Sequence, residues 1–260
     1  MFTCVECGQS VNCLYRESAG HTIRLASCPH CHQLADKYIE WETQMVLIDL
    51  ILNRPQAYRH ILFNRGHETH GRRMLREVLK FLTVIYAFDS FDRWYLNSEQ
   101  APLPNTETIV ASPASVFTQW LLPHEHQWII LLTAVGETTI YMLMLFLGAR
   151  IYLHSEWGKH RFNAKSLFSA IVLSCFSKLG VLLWMVWDAQ SHHRFGIELF
   201  TILSNIVSMT VFIGDHKGPI DNKPFSNFPA FVIVSIAFVV RLMFGVFMTR
   251  VESAIHFSLF

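Results

Sequence analysis

The sequence predicts an all-α polytopic membrane protein of about five transmembrane helices, with four as the alternative, and a small β module at its N-terminus. Three observations predict it. Hydrophobic residues make up 52% of the chain and charged residues only 16%, with a mean hydropathy of +0.29, which is more apolar than an ordinary soluble domain. Several stretches stay apolar over the roughly twenty residues needed to cross about 30 Å of hydrocarbon. Two Cys-x-x-Cys knuckles, Cys4 with Cys7 and Cys28 with Cys31, stand close to the N-terminus.

The knuckles come first in the chain. Each delivers two thiolates from one tight turn, and a hairpin between them joins the pairs into a tetrahedral Cys₄ zinc site. The competing reading is two disulfides in a secreted domain. Met1-Phe2-Thr3-Cys4 carries neither a basic nor an apolar leader, which favours zinc. Gly8 follows the first knuckle, where a residue free to take positive φ turns backbone N–H groups toward the thiolates. Val11, Cys13 and Tyr15 alternate on one strand and His21, Ile23 and Leu25 on the other, with Glu17–Gly20 as the turn. The result is a zinc ribbon over residues 1–34 with Cys4, Cys7, Cys28 and Cys31 as ligands. Four thiolates leave no open coordination position, so the zinc is expected to be structural rather than catalytic. His30 and His32 then read as exposed or outer groups, and Cys13 and Cys175 as ordinary buried thiols.

Residues 35–64 follow as an amphipathic helical segment. Tyr38, Trp41, Met45, Ile48 and Leu52 fall at steps of three and four, and Val46, Leu47, Leu50 and Ile51 widen the apolar face. The run Met45–Leu52 is too short to span a bilayer. Pro55 should end this helix near Asn53 and open a second one, Pro55–Phe63. Arg54, Arg59 and Arg65 lie beside Tyr58, Ile61, Leu62 and Phe63, a pattern that suits either a membrane surface with anionic headgroups or a helical hairpin packed on the membrane domain.

Residues 65–260 form the transmembrane domain. The clear spans are approximately Gln127–Ala149, Ser166–Trp187, Gly196–Ile213 and Phe228–Met248; the third of these is short and holds Ser204, Asn205, Ser208 and Thr210. A fifth segment, Val78–Leu96, is interrupted by Asp89, Asp92 and Arg93. Charge asymmetry bears on it. Residues 54–80 carry Arg54, Arg59, Arg65, Arg72, Arg73, Arg76 and Lys80, whereas residues 97–126 carry no Lys or Arg, as opposite faces of a membrane would. The later loops alternate in the same sense, which favours five spans with the N-terminal module cytosolic. Four spans with an interfacial helix at Val78–Leu96 is the alternative. Trp120, Trp128, Trp157 and Trp184 lie near span ends, where interfacial belts form.

Three charges fall inside the spans. Glu137 and Lys178 sit at similar depth if their helices run antiparallel, and an ion pair between them would fix helix packing, since an unpaired charge there costs several kcal/mol. Arg241 lies nearer an end and is expected to snorkel. A structural lock is favoured over a lipid-headgroup or proton site.

The net charge of +1 gives no strong general attraction to nucleic acid. No nucleophile elbow, paired acid/base carboxylates or phosphate-binding glycine loop occurs in the sequence. Asp188 with His192-His193, and His124-Glu125-His126, read as boundary residues rather than metal sites.

The double knuckle followed by Ala35-Asp36-Lys37-Tyr38-Ile39-Glu40, Ile48-Asp49-Leu50-Ile51-Leu52, Pro55-Gln56-Ala57-Tyr58-Arg59-His60 and Leu62-Phe63-Asn64 resembles the Arv family of endoplasmic-reticulum lipid-homeostasis proteins. The match covers about a quarter of the chain by motif and the remainder by hydropathy. The resemblance implies a non-enzymatic multi-pass protein of the endoplasmic reticulum and Golgi that acts in sterol uptake, trafficking and distribution, with links to sphingolipid metabolism and to supply of glycosylphosphatidylinositol-anchor intermediates. Its partners would be membrane lipids and lipid enzymes of the endoplasmic reticulum. It carries Cys4, Cys7, Cys28 and Cys31 over as zinc ligands. Two other classes stand beside it: a membrane-bound lipid-modifying enzyme, and a zinc-module scaffold or adaptor. A RING-type adaptor would need eight ligands, and only four cysteines are suitably placed.

Overall fold

A computed structural model describes residues 2–18, 22–65, 71–100, 127–157, 164–180, 193–217 and 228–258. The N-terminal module is built from two small antiparallel pairs. Strands β1 (Phe2–Thr3) and β2 (Ser10–Val11) flank the first knuckle, and β3 (Tyr15–Ser18) pairs with β4 (Thr22–Leu25) in the register Tyr15 opposite Leu25. The expected hairpin is therefore seen in the pairing of Tyr15–Ser18 with Thr22–Leu25, and His21 lies outside the described residues. Val11, however, belongs to the other pair, opposite Phe2, because the knuckle folds its own flanking residues together. Strand β3 extends through Glu17 and Ser18, which pair with Ile23 and Thr22 instead of lying in the turn.

The segment after the module does not begin as one long helix. A short 3₁₀ turn, Lys37–Ile39, is capped by the Asp36 carboxylate, which accepts from the Tyr38 N–H at 3.0 Å. Helix α1 starts only at Thr43 and runs to Ile51. Its end is a Schellman closure: Asn53 takes φ 54°, its N–H donates to the Leu50 carbonyl, and the Arg54 N–H donates to the Asp49 carbonyl. Pro55 then sits in the first turn of α2, Pro55–Arg59, as its fixed φ favours. The chain winds on through a π-helical stretch, His60–Asn64.

The membrane domain contains α3 (Gly71–Gln100), α4 (Gln127–Trp157), α5 (Ala164–Ser174), α6 (His193–Lys217) and α7 (Phe228–Ser258). Three helices among the described residues are long and apolar enough to cross a membrane, over Leu131–His154, Phe195–Gly214 and Phe228–Val251. The expected span Ser166–Trp187 is described only to Gly180: α5 gives way to a buried 3₁₀ stretch, Cys175–Gly180, and residues 181–187 lie outside the described set. Val78–Leu96 lies wholly inside α3 as continuous helix. Trp120 and Trp184 also lie outside the described residues.

Helices α4 and α7 pack at close range. A Cβ built on Gly148 would meet Ile233 Cγ2 at 2.9 Å, and one on Gly245 would meet Glu137 Oε1 at 2.8 Å. Small residues let two helices approach where lipid supplies no hydrophobic drive. Two of the polar residues that weakened α6 as a span, Asn205 and Ser208, point into its contact with α5. Ser174 donates to Asn205 Oδ1 at 2.9 Å, Ser177 and Thr201 share a hydrogen bond at 2.7 Å, and Ser208 donates to the Ala170 carbonyl at 2.9 Å. Such bonds between spans are worth roughly 0.6 kcal/mol each, up to about 2.

Candidate metal centre and intramembrane charge network

The two knuckles have the same backbone geometry. Cys4 N–H donates to the Gln9 carbonyl and Gly8 N–H to the Cys4 carbonyl; Cys28 N–H donates to the Gln33 carbonyl and His32 N–H to the Cys28 carbonyl. Gly8 has φ 76° and His32, at the matching position, φ 60°. Glycine takes this conformation freely, whereas histidine holds it against Cβ strain. Facing the knuckles toward each other places the Sγ atoms of Cys4, Cys7, Cys28 and Cys31 within 4.8 Å of one another. The pairs Cys4–Cys31 and Cys7–Cys28 stand at 3.8 and 3.7 Å. A tetrahedron with metal–sulfur bonds of about 2.3 Å has edges of about 3.8 Å, so the donor set fits zinc.

The electrostatics of the thiols differ. Burial pushes Cys4 and Cys7 above the usual thiol range. Burial also opposes the Cys28 thiolate, but hydrogen bonds from the Cys31 and His30 N–H groups and from Cys7 and Cys4 outweigh it and bring Cys28 down to about 7. Outside the four-cysteine cluster, Cys13 is half-buried and Cys175 fully buried. His30 and His32 are exposed and outside the cysteine cluster.

The module is tied to the helical segment by a buried polar cluster. Asp36 is fully buried, and its Oδ2 accepts from His60 Nδ1 at 2.8 Å and from Asn64 Nδ2 at 2.6 Å. Asn64 also closes a two-way bond with Thr3, accepting from its N–H and donating to its carbonyl, both at 2.9 Å. Of the two readings its sequence context allowed, a membrane surface or a packed hairpin, Arg59 follows the packed one. It is buried and donates to the carbonyls of Val5 at 2.6 Å and Glu6 at 2.9 Å, inside the first knuckle. Lys37 and Gln56 reach the Glu6 carboxylate, each at 3.1 Å. The other face of the segment meets the membrane domain, where the Tyr58 hydroxyl bonds Ser204 Oγ at 2.6 Å.

A second cluster joins five elements of the membrane domain. Glu137 and Lys178 lie in it, both buried, but they are not each other's partners. Lys178 Nζ donates to Asp89 Oδ1 at 2.9 Å and to Thr138 Oγ1 at 2.7 Å, while Thr138 donates to Asp89 Oδ2 at 2.7 Å. Glu137 pairs with Arg93, and Arg241 Nε approaches it at 3.6 Å. Arg241 does not snorkel: it is buried and holds Glu198 with both guanidinium NH groups. The pairing differs from the sequence expectation because Asp89 and Arg93, one helical turn apart on α3, present opposite charges to Lys178 and Glu137. These are two of the charges that make Val78–Leu96 look unlike a span. Asp89, Glu137 and Glu198 balance Arg93, Lys178 and Arg241, and this one-to-one complement of six was the available sequence signal. Asp188 and His192 lie outside the described residues.

An Arv1-like family profile matches residues 3–209. A Dictyostelium discoideum relative named protein arv1 homolog is 32% identical over 247 residues, covering 93% of this chain and 92% of its own. Protein ARV 1 of Arabidopsis thaliana is 48% identical over 211 residues, covering 80% of this chain and 77% of its own. Human protein ARV1 is 28% identical over 223 residues, covering 83% and 74%. No solved structure matches. With a profile running from the first knuckle into α6 and relatives aligned over most of their length, the chain belongs to the Arv1-like family.

Proposed function

We propose that this chain is a non-catalytic mediator of sterol uptake, trafficking and distribution, resident in the endoplasmic-reticulum membrane with a share in the Golgi. Sphingolipid balance and glycosylphosphatidylinositol-anchor supply are linked outputs. Its partners are membrane lipids and the lipid enzymes of that compartment. The sterol role rests on family membership, read through the resemblance over Cys4–Asn64. The observation that carries the mechanism is that two neighbouring residues of α2 hold opposite sides, Arg59 bonding the first knuckle and Tyr58 bonding Ser204 of α6. It couples a cytosolic zinc ribbon, with Cys4, Cys7, Cys28 and Cys31 as ligands, to the membrane domain.

Five spans fit the charge network best. If α3 crosses, Asp89 and Arg93 lie where their counter-charges Lys178 and Glu137 are, so neither is left unpaired in the hydrocarbon. When bound, zinc supplies a structural cross-link and no reaction. The chain's own residues do the rest: Asp36 orients His60 and Asn64, and Arg59 clamps the knuckle carbonyls. Expression of the chain in cells lacking their own Arv1-like protein tests the reading. Free sterol should return to its normal division between endoplasmic reticulum and plasma membrane. A stably expressed, correctly located chain that leaves sterol misplaced would overturn it. Liposomes holding the purified chain and a fluorescent sterol then divide direct transfer, seen as acceleration, from regulation of other proteins.

A further inference from the structure

Helix α1 turns Val46, Asp49 and Leu50 inward and leaves Met45, Leu47, Ile48, Ile51 and Leu52 outward, each between 46% and 58% exposed. A contiguous apolar face of this kind is out of place against water. Its location says what covers it. α1 packs on α2, and α2 is fixed to α6 by the Tyr58–Ser204 hydrogen bond. Ser204 stands midway along the apolar stretch Phe195–Gly214, about 15 Å from either end at 1.5 Å per residue, which is the half-thickness of the hydrocarbon layer. One tyrosine side chain separates that level from α2.

The backbone at the bend is equipped for the same place. Leu52, Asn53 and Arg54 each donate their N–H to a carbonyl of α1, so the turn leaves few groups needing water. The buried Asp49 is shared by the Tyr38 hydroxyl at 2.8 Å and Arg54 at 3.4 Å, and the long Arg54 side chain can lead its charge toward headgroups.

We propose that Thr43–Asn64 is a re-entrant helical hairpin sunk into the leaflet on the ribbon's side, with the outward face of α1 lying on lipid acyl chains. The zinc ribbon is thereby seated directly on a probe of one leaflet. This rests on α6 being a span and not on the sterol reading.

The test uses the full chain, zinc retained, in phosphatidylcholine liposomes, with a genetically encoded fluorescent amino acid at Ile48 or Leu52. Glu42, exposed before α1, and Phe247, exposed on α7, serve as reference sites. Probes at Ile48 and Leu52 should lose most of their emission to lipids carrying a mid-chain nitroxide, as at Phe247, and resist aqueous iodide. The Glu42 probe should do the reverse. Iodide quenching at Ile48 and Leu52 would overturn the proposal. Protection from both quenchers would overturn it too, by showing that protein or a second copy covers the face. Failure of lipid quenching at Phe247 as well would bring down the membrane reading itself.

Discussion

Lys178 shows how a single side chain is held inside the membrane domain. Its ammonium meets Asp89 and Thr138, and Thr138 closes the triangle by donating to Asp89. Removing one partner leaves the other charge buried and unpaired, which costs about 3–5 kcal/mol, whereas removing both is far milder. Asp89→Asn and Lys178→Met should each lower thermal stability in detergent sharply, and the double variant should recover much of the loss. The same cycle between Glu137→Gln and Lys178→Met should show a smaller coupling; equal couplings would contradict the pairing described here. Sequence reasoning located Glu137 and Lys178 as buried charges, because an ionised residue in an apolar run stands out. It could not assign partners, because Lys178 and Asp89 are 89 positions apart and pairing depends on helix rotation and depth. The four cysteines needed no such information, since each knuckle sets two ligands through local backbone geometry.

Local chemistry also decides which elements were legible. Pro55 stopped and restarted a helix where expected, since its ring and missing N–H act within one turn. The start of α1 was not legible. Asp36 diverts the preceding backbone into a 3₁₀ turn while bonding His60 and Asn64, and these long-range partners leave no mark on periodicity. The role of Arg59 was hidden for the same reason, because basic residues beside apolar ones look alike whether they face headgroups or carbonyls. Arg59→Met removes two charged hydrogen bonds to Val5 and Glu6, each worth about 1.5–3 kcal/mol. Amide exchange over Phe2–Val11 should quicken markedly while α4 and α7 keep their protection. Unchanged exchange there would show that the clamp does not hold the knuckle. Between α4 and α7, Gly148→Leu would drive a side chain into Ile233, so helix association should weaken and folded yield should fall. A fully stable Gly148→Leu variant would deny the close packing.

At the scale of the whole molecule, ribbon, hairpin and spans form one body. The four cysteines close the two knuckles on each other, Arg59 and Asn64 fasten the knuckles to the hairpin, and Tyr58 fastens the hairpin to α6. Hydropathy revealed three apolar helices, and the charges Asp89 and Arg93 that interrupt the apolar run of α3 are matched by Lys178 and Glu137 inside the domain. In the proposed reading, a structural zinc ribbon is docked through the hairpin on an independently inserted membrane domain. Zinc binding supplies folding energy to such small modules, on the order of 10 kcal/mol in isolated zinc-finger peptides, so metal removal should act locally. Hydrogen exchange on the purified full chain, before and after complete chelation with loss of zinc confirmed by metal analysis, tests this most directly. Protection should collapse over residues 2–35 and weaken over Pro55–Asn64, while Leu131–His154, Phe195–Gly214 and Phe228–Val251 remain protected. Unchanged protection over residues 2–35 after complete metal removal would contradict the account.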